Sequence, residues 1–398
     1  MKVILTEAQY QRLNEIDWEG EFSDVNKSCL NIDKFVQELN NELHKVLVNK
    51  ELFGKEKNKE KAKSTRTIHP FHSKTSIDSL TKQSGGGLDI DIEKYIKAIT
   101  AIPKSIFEVN SKMEKSTAEG TQIVLNTGIP ALFAIIFDKD SKQFYKINTC
   151  PKAGECINYC YARKGQYGMN DGLILKLLQR VNFLLNHPDM YYKRMARELE
   201  IKAFEAQYDS TDDKPVKLVI RWNDAGDFFS KKYFQMAIDV TNELVEKGYD
   251  VLSYAYTKDA EKYLAGNKDF IMNFSKDAKK SELKKLDLDT TKYSDVIKSK
   301  IDLKTPMWSD LFKKGEAGKK YSIDSITGVP EFIPGGKELL KARLAKMYNI
   351  PIERLIFQNE LPNKLGDRFQ YDAIVYQKGD SDISAQRPDV QRTFLLFH

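Results

Sequence analysis

From about residue 121 onward the sequence alternates short apolar runs with longer amphipathic stretches, and this alternation limits the fold more than any other feature. The runs "IPALFAIIFD", "QFYKIN", "VKLVIRWND", "DVLSYAYTK", "FIMNFSKD", "RLIFQ", "AIVYQ" and "TFLLFH" read as strands. Between them, "LILKLLQRVNFLLN", "MYYKRMARELEIKAFEAQ", "KKYFQMAIDVTNELVEKG" and "GKELLKARLAKMYN" carry apolar residues at helical spacing. His187-Pro188 parts the first two helices, and Gly248 stops the third. Parallel neighbours need long crossovers, so helices of this length between strands predict parallel pairing through βαβ units. The expected fold class is α/β: a partial parallel (βα) barrel with a helical N-terminal extension.

Three segments follow. Residues 1–53 are expected to be helical, because "NIDKFVQELNNELHKVLVNKELF" sets Ile32, Phe35, Val36, Leu39, Leu43, Val46 and Leu47 on one stripe. Residues 54–87 are polar, Lys-rich and closed by three glycines, and read as a basic linker. Residues 88–398 form the barrel-like domain, with a short helix over 89–101 and a Lys- and Asp-rich surface excursion over 279–300. The longest apolar run, Ala131–Phe137, is too short to cross a bilayer, so no membrane partner is expected. The start "MKVILTEAQYQRL" lacks the apolar core of a secretory signal, which points to the cytoplasm. A net charge of +6 from 63 basic and 57 acidic residues is that of a solvated surface. Nucleic acid remains a possible partner through the basic linker, and a small molecule or nucleotide through a site on the barrel.

The chemistry is concentrated in "NTCPKAGECINYCYARKG", residues 148–165, which holds Cys150, Cys156 and Cys160 of the four cysteines. Thiols packed this closely in a reducing compartment bind metal more often than they bind each other. A structural zinc uses four protein ligands, commonly in paired knuckles. Here the fourth cysteine, Cys29, lies more than a hundred residues upstream. Three thiolates suit a [4Fe–4S] cluster with one iron open to a small ligand. Zinc completed by His69, His72, His187 or His398 is the alternative, and three unligated thiols the blandest reading. His69 and His72 in "HPFH" could share a metal but read as exposed linker residues. No phosphate-binding G-x-x-x-x-G-K-[ST] loop and no H-E-x-x-H motif occur.

At the carboxyl ends of the predicted strands, polar residues gather on one rim, where parallel barrels place their active sites. Arg221, Asn223, Asp224 and Asp227 follow "KLVI"; Lys258 ends "VLSYA"; Asn273 and Ser275 end "FIM"; Asp380 and Asp382 follow "AIVYQ". Asp224, Asp227 and Lys258 are candidate catalytic groups. Each has a plain structural counterpart: Arg221 and Asp227 as an ion pair, Asp224 or Asp227 as a helix cap, Lys258 as a solvated strand end.

The segments "TCPKAGECINYCYARKG", "RWNDAGDFFSKKYF", "YAYTK" and "KGDSDISAQRPDVQRTFLLFH" resemble, in this order, the tailed-phage family named for mycobacteriophage gene product eighty-eight. The resemblance spans roughly 120–398. It implies a phage protein working in an infected host cell, with a virion-associated role as the alternative. More distantly, the arrangement is similar to radical S-adenosylmethionine enzymes, where a cysteine loop after the first barrel strand is closed by an aromatic residue. Tyr161 stands in that place here, and Gly226 in "NDAGDFF" stands where that superfamily has a glycine motif for the methionine amino group. The C-x5-C-x3-C spacing departs from that superfamily's C-x3-C-x2-C. The similarity implies S-adenosylmethionine as cofactor, held by Tyr161, Arg221, Asn223, Gly226, Asn273, Ser275, Asp380 and Asp382.

Overall fold

The computed structural model describes residues 16–41, 81–84, 87–109, 121–158, 160, 162, 171–297, 309–315, 322, 331–376 and 382–396. Among these, the strands form an eight-stranded parallel sheet, a three-stranded antiparallel sheet and a two-stranded hairpin. The protein is a mixed α/β fold, and the parallel pairing expected of the βαβ units is present.

The antiparallel sheet joins β1 (Lys27–Leu30), β6 (Gln143–Asn148) and β5 (Phe133–Asp138), with β6 in the middle. β1 corrects the all-helical reading of residues 1–53. "KSCL" is a strand, with Cys29 opposite Tyr145 in the register, and a helical run over 32–41 follows it. Phe35 and Leu39 of that run enter the main core with Phe22 and Val25. Within the expected linker, Thr81–Ser84 (β2) pairs with Gly87–Ile90 (β3), and the helix expected over 89–101 is α1 (Ile92–Ile99), capped by Asp91. Residues 54–80, with His69 and His72, lie outside the described residues.

The parallel sheet begins with β4 (Gln122–Asn126), a strand too short and too polar at its ends to stand out in the sequence. It continues with β7 (Lys217–Trp222), β8 (Val251–Thr257), β9 (Phe270–Ser275) and β10 (Tyr293–Val296). β10 corrects the reading of 279–300 as a surface excursion: "YSDV" has mid-sheet neighbours on both sides, β9 and β13. β11 (Leu355–Phe357) then takes the far edge, and β12 (Tyr371–Tyr376) and β13 (Val390–Leu396) return inward until β13 lies against β10.

This reversal decides which face each connection crosses. The long helices α3 (Pro188–Asp209) and α4 (Lys231–Glu246) cover one face, packing on Leu218, Ile220, Trp222, Ala255, Phe270 and Met272, while α2 (Asp171–Asn186) packs on β5 and against α3. Alternate residues face the other way: Val124, Val219, Tyr254 and Ile271 cluster with Ala385. Right-handed crossovers that advance along a sheet and those that return must lie on opposite faces. The connection from β12 to β13, with α8 (Ile383–Gln386), therefore passes over the face away from the long helices and packs on β8, β9 and β13. The helices between these are α5 (Ala260–Leu264), α6 (Lys280–Leu283) and α7 (Gly336–Tyr348).

Candidate functional site

Cys150 is delivered by the antiparallel hairpin, not by a strand of the parallel sheet. Asn182 of α2 holds β5 in place, donating to the Ile135 carbonyl at 3.0 Å and accepting from the Phe137 N–H at 3.0 Å. At the end of β6 the Asn148 side chain accepts the Cys150 N–H at 2.9 Å, and the Cys150 sulfur accepts the Leu132 N–H at 3.4 Å. Downstream, Gly154 donates to the Asp277 carbonyl at 3.1 Å and Lys279 to the Lys152 carbonyl at 2.9 Å. These bonds tie the cysteine loop to the segment beyond β9. A side chain at Gly154 would meet the Asp277 and Ala278 backbone, so only glycine allows this approach.

The second piece is the turn "NDAGD" at the carboxyl end of β7. It carries two left-handed residues, Asn223 (φ 53°) and Gly226 (φ 78°). The first is a conformation asparagine tolerates and the second one glycine favours. Asp224 donates its N–H to the Thr127 carbonyl at 3.0 Å, and Asn126 donates its side-chain amide to Asp224 Oδ2 at 2.8 Å. Asp227 donates its N–H to the Thr149 carbonyl at 3.0 Å. Its buried carboxylate takes the N–H groups of Phe228 at 2.8 Å and Lys258 at 3.0 Å. Neither aspartate caps the following helix, since Ser230 does that, accepting from the Tyr233 N–H at 3.1 Å.

These constraints bring Cys150, Cys156, Cys160, Asp227 and Lys258 into one electrostatic neighbourhood. Burial pushes the Cys150 thiol up to about 12, with Lys258 pulling it back and Asp227 and Cys160 adding to the rise. Burial also raises Cys156, again against the pull of Lys258. Burial works to lower Lys258, yet Asp227 and the three cysteines outweigh it and hold the ammonium charged above its usual range. Among the described residues, no three His, Cys, Asp or Glu side chains stand close enough as placed to hold a metal ion. The fit to a soft metal is one of donor chemistry: three thiols in one loop, with a lysine to offset their charge. Cys29 is remote in the fold, exposed on β1 and bonded to Gln143 at 3.1 Å. His187 meets Lys139 at 3.2 Å and burial lowers its pKa, so its ring is engaged away from the thiols.

Of the remaining predicted residues, Arg221, Asn273 and Asp382 form a second group on the α8 face, whereas Asn223 bonds to Tyr233 of α4. Arg221 pairs with Asp382 at 2.8 Å, which replaces the ion pair with Asp227 weighed from the sequence. The Tyr254 hydroxyl donates to Asp382 Oδ2 at 3.3 Å, and Arg221 lies 5.8 Å from the centre of the Tyr256 ring. Asn273 donates to the carbonyls of Ala385 at 3.0 Å and Ala255 at 3.3 Å. Asn223 accepts from the Tyr233 hydroxyl at 2.9 Å, and Ser275 stands opposite Ser294 in the ladder. Tyr161 and Asp380 lie outside the described residues. Asn126, Thr149 and Tyr254 were not singled out from the sequence. Asn126 ends β4, a strand that the apolar pattern does not disclose.

No curated protein and no solved structure matches the chain. No described helix is long and apolar enough to cross a membrane. The model of one family, described as Gene product 88, matches residues 105–339. That span covers the hairpin, the cysteine loop, the 223–227 turn and the strands up to β10. It is more than half of the sequence, and the chain therefore belongs to the Gene product 88 family.

Proposed function

We propose that this chain is a phage iron–sulfur protein whose Cys150, Cys156 and Cys160 hold a [4Fe–4S] cluster beside the carboxyl edge of the parallel sheet. The observation that carries the reading is a loop with three cysteines whose start is tied to the ends of β7 and β8, where Asp227 accepts the Lys258 N–H at 3.0 Å and donates its own to the Thr149 carbonyl at 3.0 Å. Three cysteine ligands leave one iron without a protein ligand, and such a cluster supplies one-electron chemistry to a small molecule held there. In this reading the sheet curls into a partial barrel, with Arg221, Tyr254, Tyr256, Asn273 and Asp382 lining its inner face. Asp227 and Lys258 orient the ligand at the cluster edge, and the Arg221–Asp382 pair orients its polar groups further in. The reaction belongs to the class shared with radical S-adenosylmethionine enzymes. Its substrate is a nucleotide, nucleic acid or macromolecule of an infected cell, and its setting the cytoplasm.

Anaerobic purification with iron, sulfide and zinc analysis tests the reading. About four irons and four sulfides, with broad absorption near 400 nm, are expected. Cys156→Ala should lose them, and iron retained in full by that variant would defeat the ligand assignment. One zinc and no iron would replace the cluster with a structural zinc that pins the loop in a binding protein.

A further inference from the structure

We infer that the outer face of α3 is a self-association surface, on which a second copy of this chain docks its own α3 in antiparallel orientation. The inference does not depend on the cluster reading. α3 turns Tyr191, Met195, Leu199, Ala203 and Ala206 into the core. The opposite side of the same helix carries Met190, Arg197, Ile201, Phe204 and Tyr208, all exposed, Phe204 to 58% and Tyr208 to 81%. With Arg194 between the first two, these positions follow one another at alternating spacings of four and three residues. That alternation keeps one seam of a helix facing a partner helix. Exposed apolar residues such as Ile32, Leu264 and Leu365 stand one to an element, as on any solvated surface, whereas α3 gathers four on one side.

The charges at the two ends of the stripe identify what covers it. Exposed Lys193 and Arg197 lie toward its start, and exposed Asp209, Asp212 and Asp213 at and just beyond its end. None of the five is ion-paired among the described residues, whereas their neighbours are: Arg194 with Glu198 at 3.0 Å, Lys202 with Glu205 at 2.5 Å and Lys247 with Glu200 at 2.7 Å. Carboxylates at a helix C-terminus oppose the helix dipole, which favours cations there. An antiparallel second copy supplies those cations. A two-fold axis at the middle of the stripe sets Ile201 against Phe204 of the second copy, Arg197 against its Tyr208, and Lys193 near its Asp212 and Asp213. The guanidinium then lies on an aromatic ring, and both acidic ends meet basic ones. A parallel pair would set like charges together at both ends. The stripe from Met190 to Tyr208 is about 27 Å long, and a helix pair of that length buries on the order of 1,000 Å² in total, so the dimer is a weak, concentration-dependent one.

Sedimentation velocity of the full chain over about 1–200 μM tests the inference. In the wild type a species of twice the chain mass should grow with concentration. Phe204→Glu should weaken self-association more than about thirtyfold, since a charge replaces an aromatic anchor at the centre of the interface. The charge pattern supplies a second test. The Lys193→Glu, Arg197→Glu double variant has acid at both ends of the stripe, and the Asp212→Lys, Asp213→Lys double variant has base at both. Each alone should self-associate at least about tenfold more weakly than the wild type. Mixed in equal amounts, the two should form a heterodimer within about threefold of the wild-type strength, because every end then meets its opposite. All these positions are exposed, so far-UV circular dichroism of each variant should match the wild type. A wild-type chain that stays monomeric throughout this range overturns the inference. Association unchanged by Phe204→Glu overturns it too, since the interface then lies elsewhere. Two charge variants that do not pair with each other overturn the antiparallel arrangement and the inference with it. If Phe204→Glu does not fold, the mixing experiment decides.

Discussion

The half of the sheet that advances, from β4 to β9, and the half that returns, from β11 to β13, are stabilised by different means. The advancing half is buried in aromatic and aliphatic packing. Trp222 is fully buried, edge-on to Phe107 at 5.6 Å and stacked on Phe270 at 6.1 Å. The returning half has an apolar layer of its own, with Leu355, Phe357, Ile374, Phe394 and Leu396 against Leu340 and Leu344 of α7, and adds buried ions to it. Asp372 receives Arg354 at 3.1 Å and Arg392 at 3.2 Å, Arg387 meets Asp389 at 2.6 Å, and the Lys292 ammonium donates to the carbonyls of Ser384, Arg387 and Val390. Apolar packing tolerates changes of pH and forgives no loss of volume. Buried ions tolerate no unpaired partner and respond to pH. The cysteine centre sits on the first kind of support, and the Arg221–Asp382 pair reaches across to the second.

The sharpest way to break this contrast is to delete one anchor from each half. Asp372→Ala should cost about 3–5 kcal/mol, because two arginines are left without their carboxylate. Trp222→Ala should cost about as much through the cavity it leaves. Urea unfolding of both variants checks the sizes, and a Trp222→Phe variant should recover most of the second loss and have no counterpart in the first. An Asp372→Ala cost below about 1 kcal/mol would show that the ion network is not a support.

Lys292→Met should cost about 1–3 kcal/mol near pH 10, where the folded group carries no charging penalty and the buried carbonyls lose their donor. Burial lowers the wild-type ammonium to about 7 from 10.5, against the pull of Asp389. Between these values the unfolded chain binds a proton that the folded one does not. Wild-type stability from this group therefore rises with pH across that window and falls as pH drops through it, by at most about 1.4 kcal/mol per unit. Thermal unfolding of wild type and Lys292→Met from pH 7 to 10 should show that slope only in the wild type.

Gly226→Ala should cost about 1–2 kcal/mol, from its left-handed backbone and from the contact its new methyl makes with Ile129. The metal-free chain should also lose stability as pH rises from 9 toward 12. Over that range the unfolded Cys150 thiol ionises, while the folded one, raised to about 12, keeps its proton. Reaction with iodoacetamide at pH 8 should label exposed Cys29 well before Cys150, read by peptide mass. At the small end, Lys313→Ala removes an exposed pair with Glu331 at 3.4 Å and should change stability by under about 0.5 kcal/mol in either direction.

Much of the architecture was readable from apolar patterning. The strands β7 to β9 and β11 to β13 and the four long helices stand where the alternation puts them, because both faces of the parallel sheet are covered and these strands are mostly apolar runs, and the hairpin β5–β6 stands out through the apolar run of β5. β4, β10 and β1 were missed for one reason: "QIVLN", "YSDV" and "KSCL" are short and carry polar residues that pair through tertiary contacts invisible to a local window.

The sequence by itself determined the α/β class, the three thiols and their spacing, and the polar residues that end each strand. All of these follow from local periodicity and from residue chemistry. Only the tertiary structure decided which of those residues meet. The end of β8 meets the start of the cysteine loop because Asp227 accepts the Lys258 N–H and donates its own to Thr149, and Asp382 joins Arg221 because the reversal of strand order sends α8 across the opposite face. Strand order and crossover side are properties of the whole sheet, set by handedness and by the long-range burial of its two faces, and no segment of the chain encodes them locally.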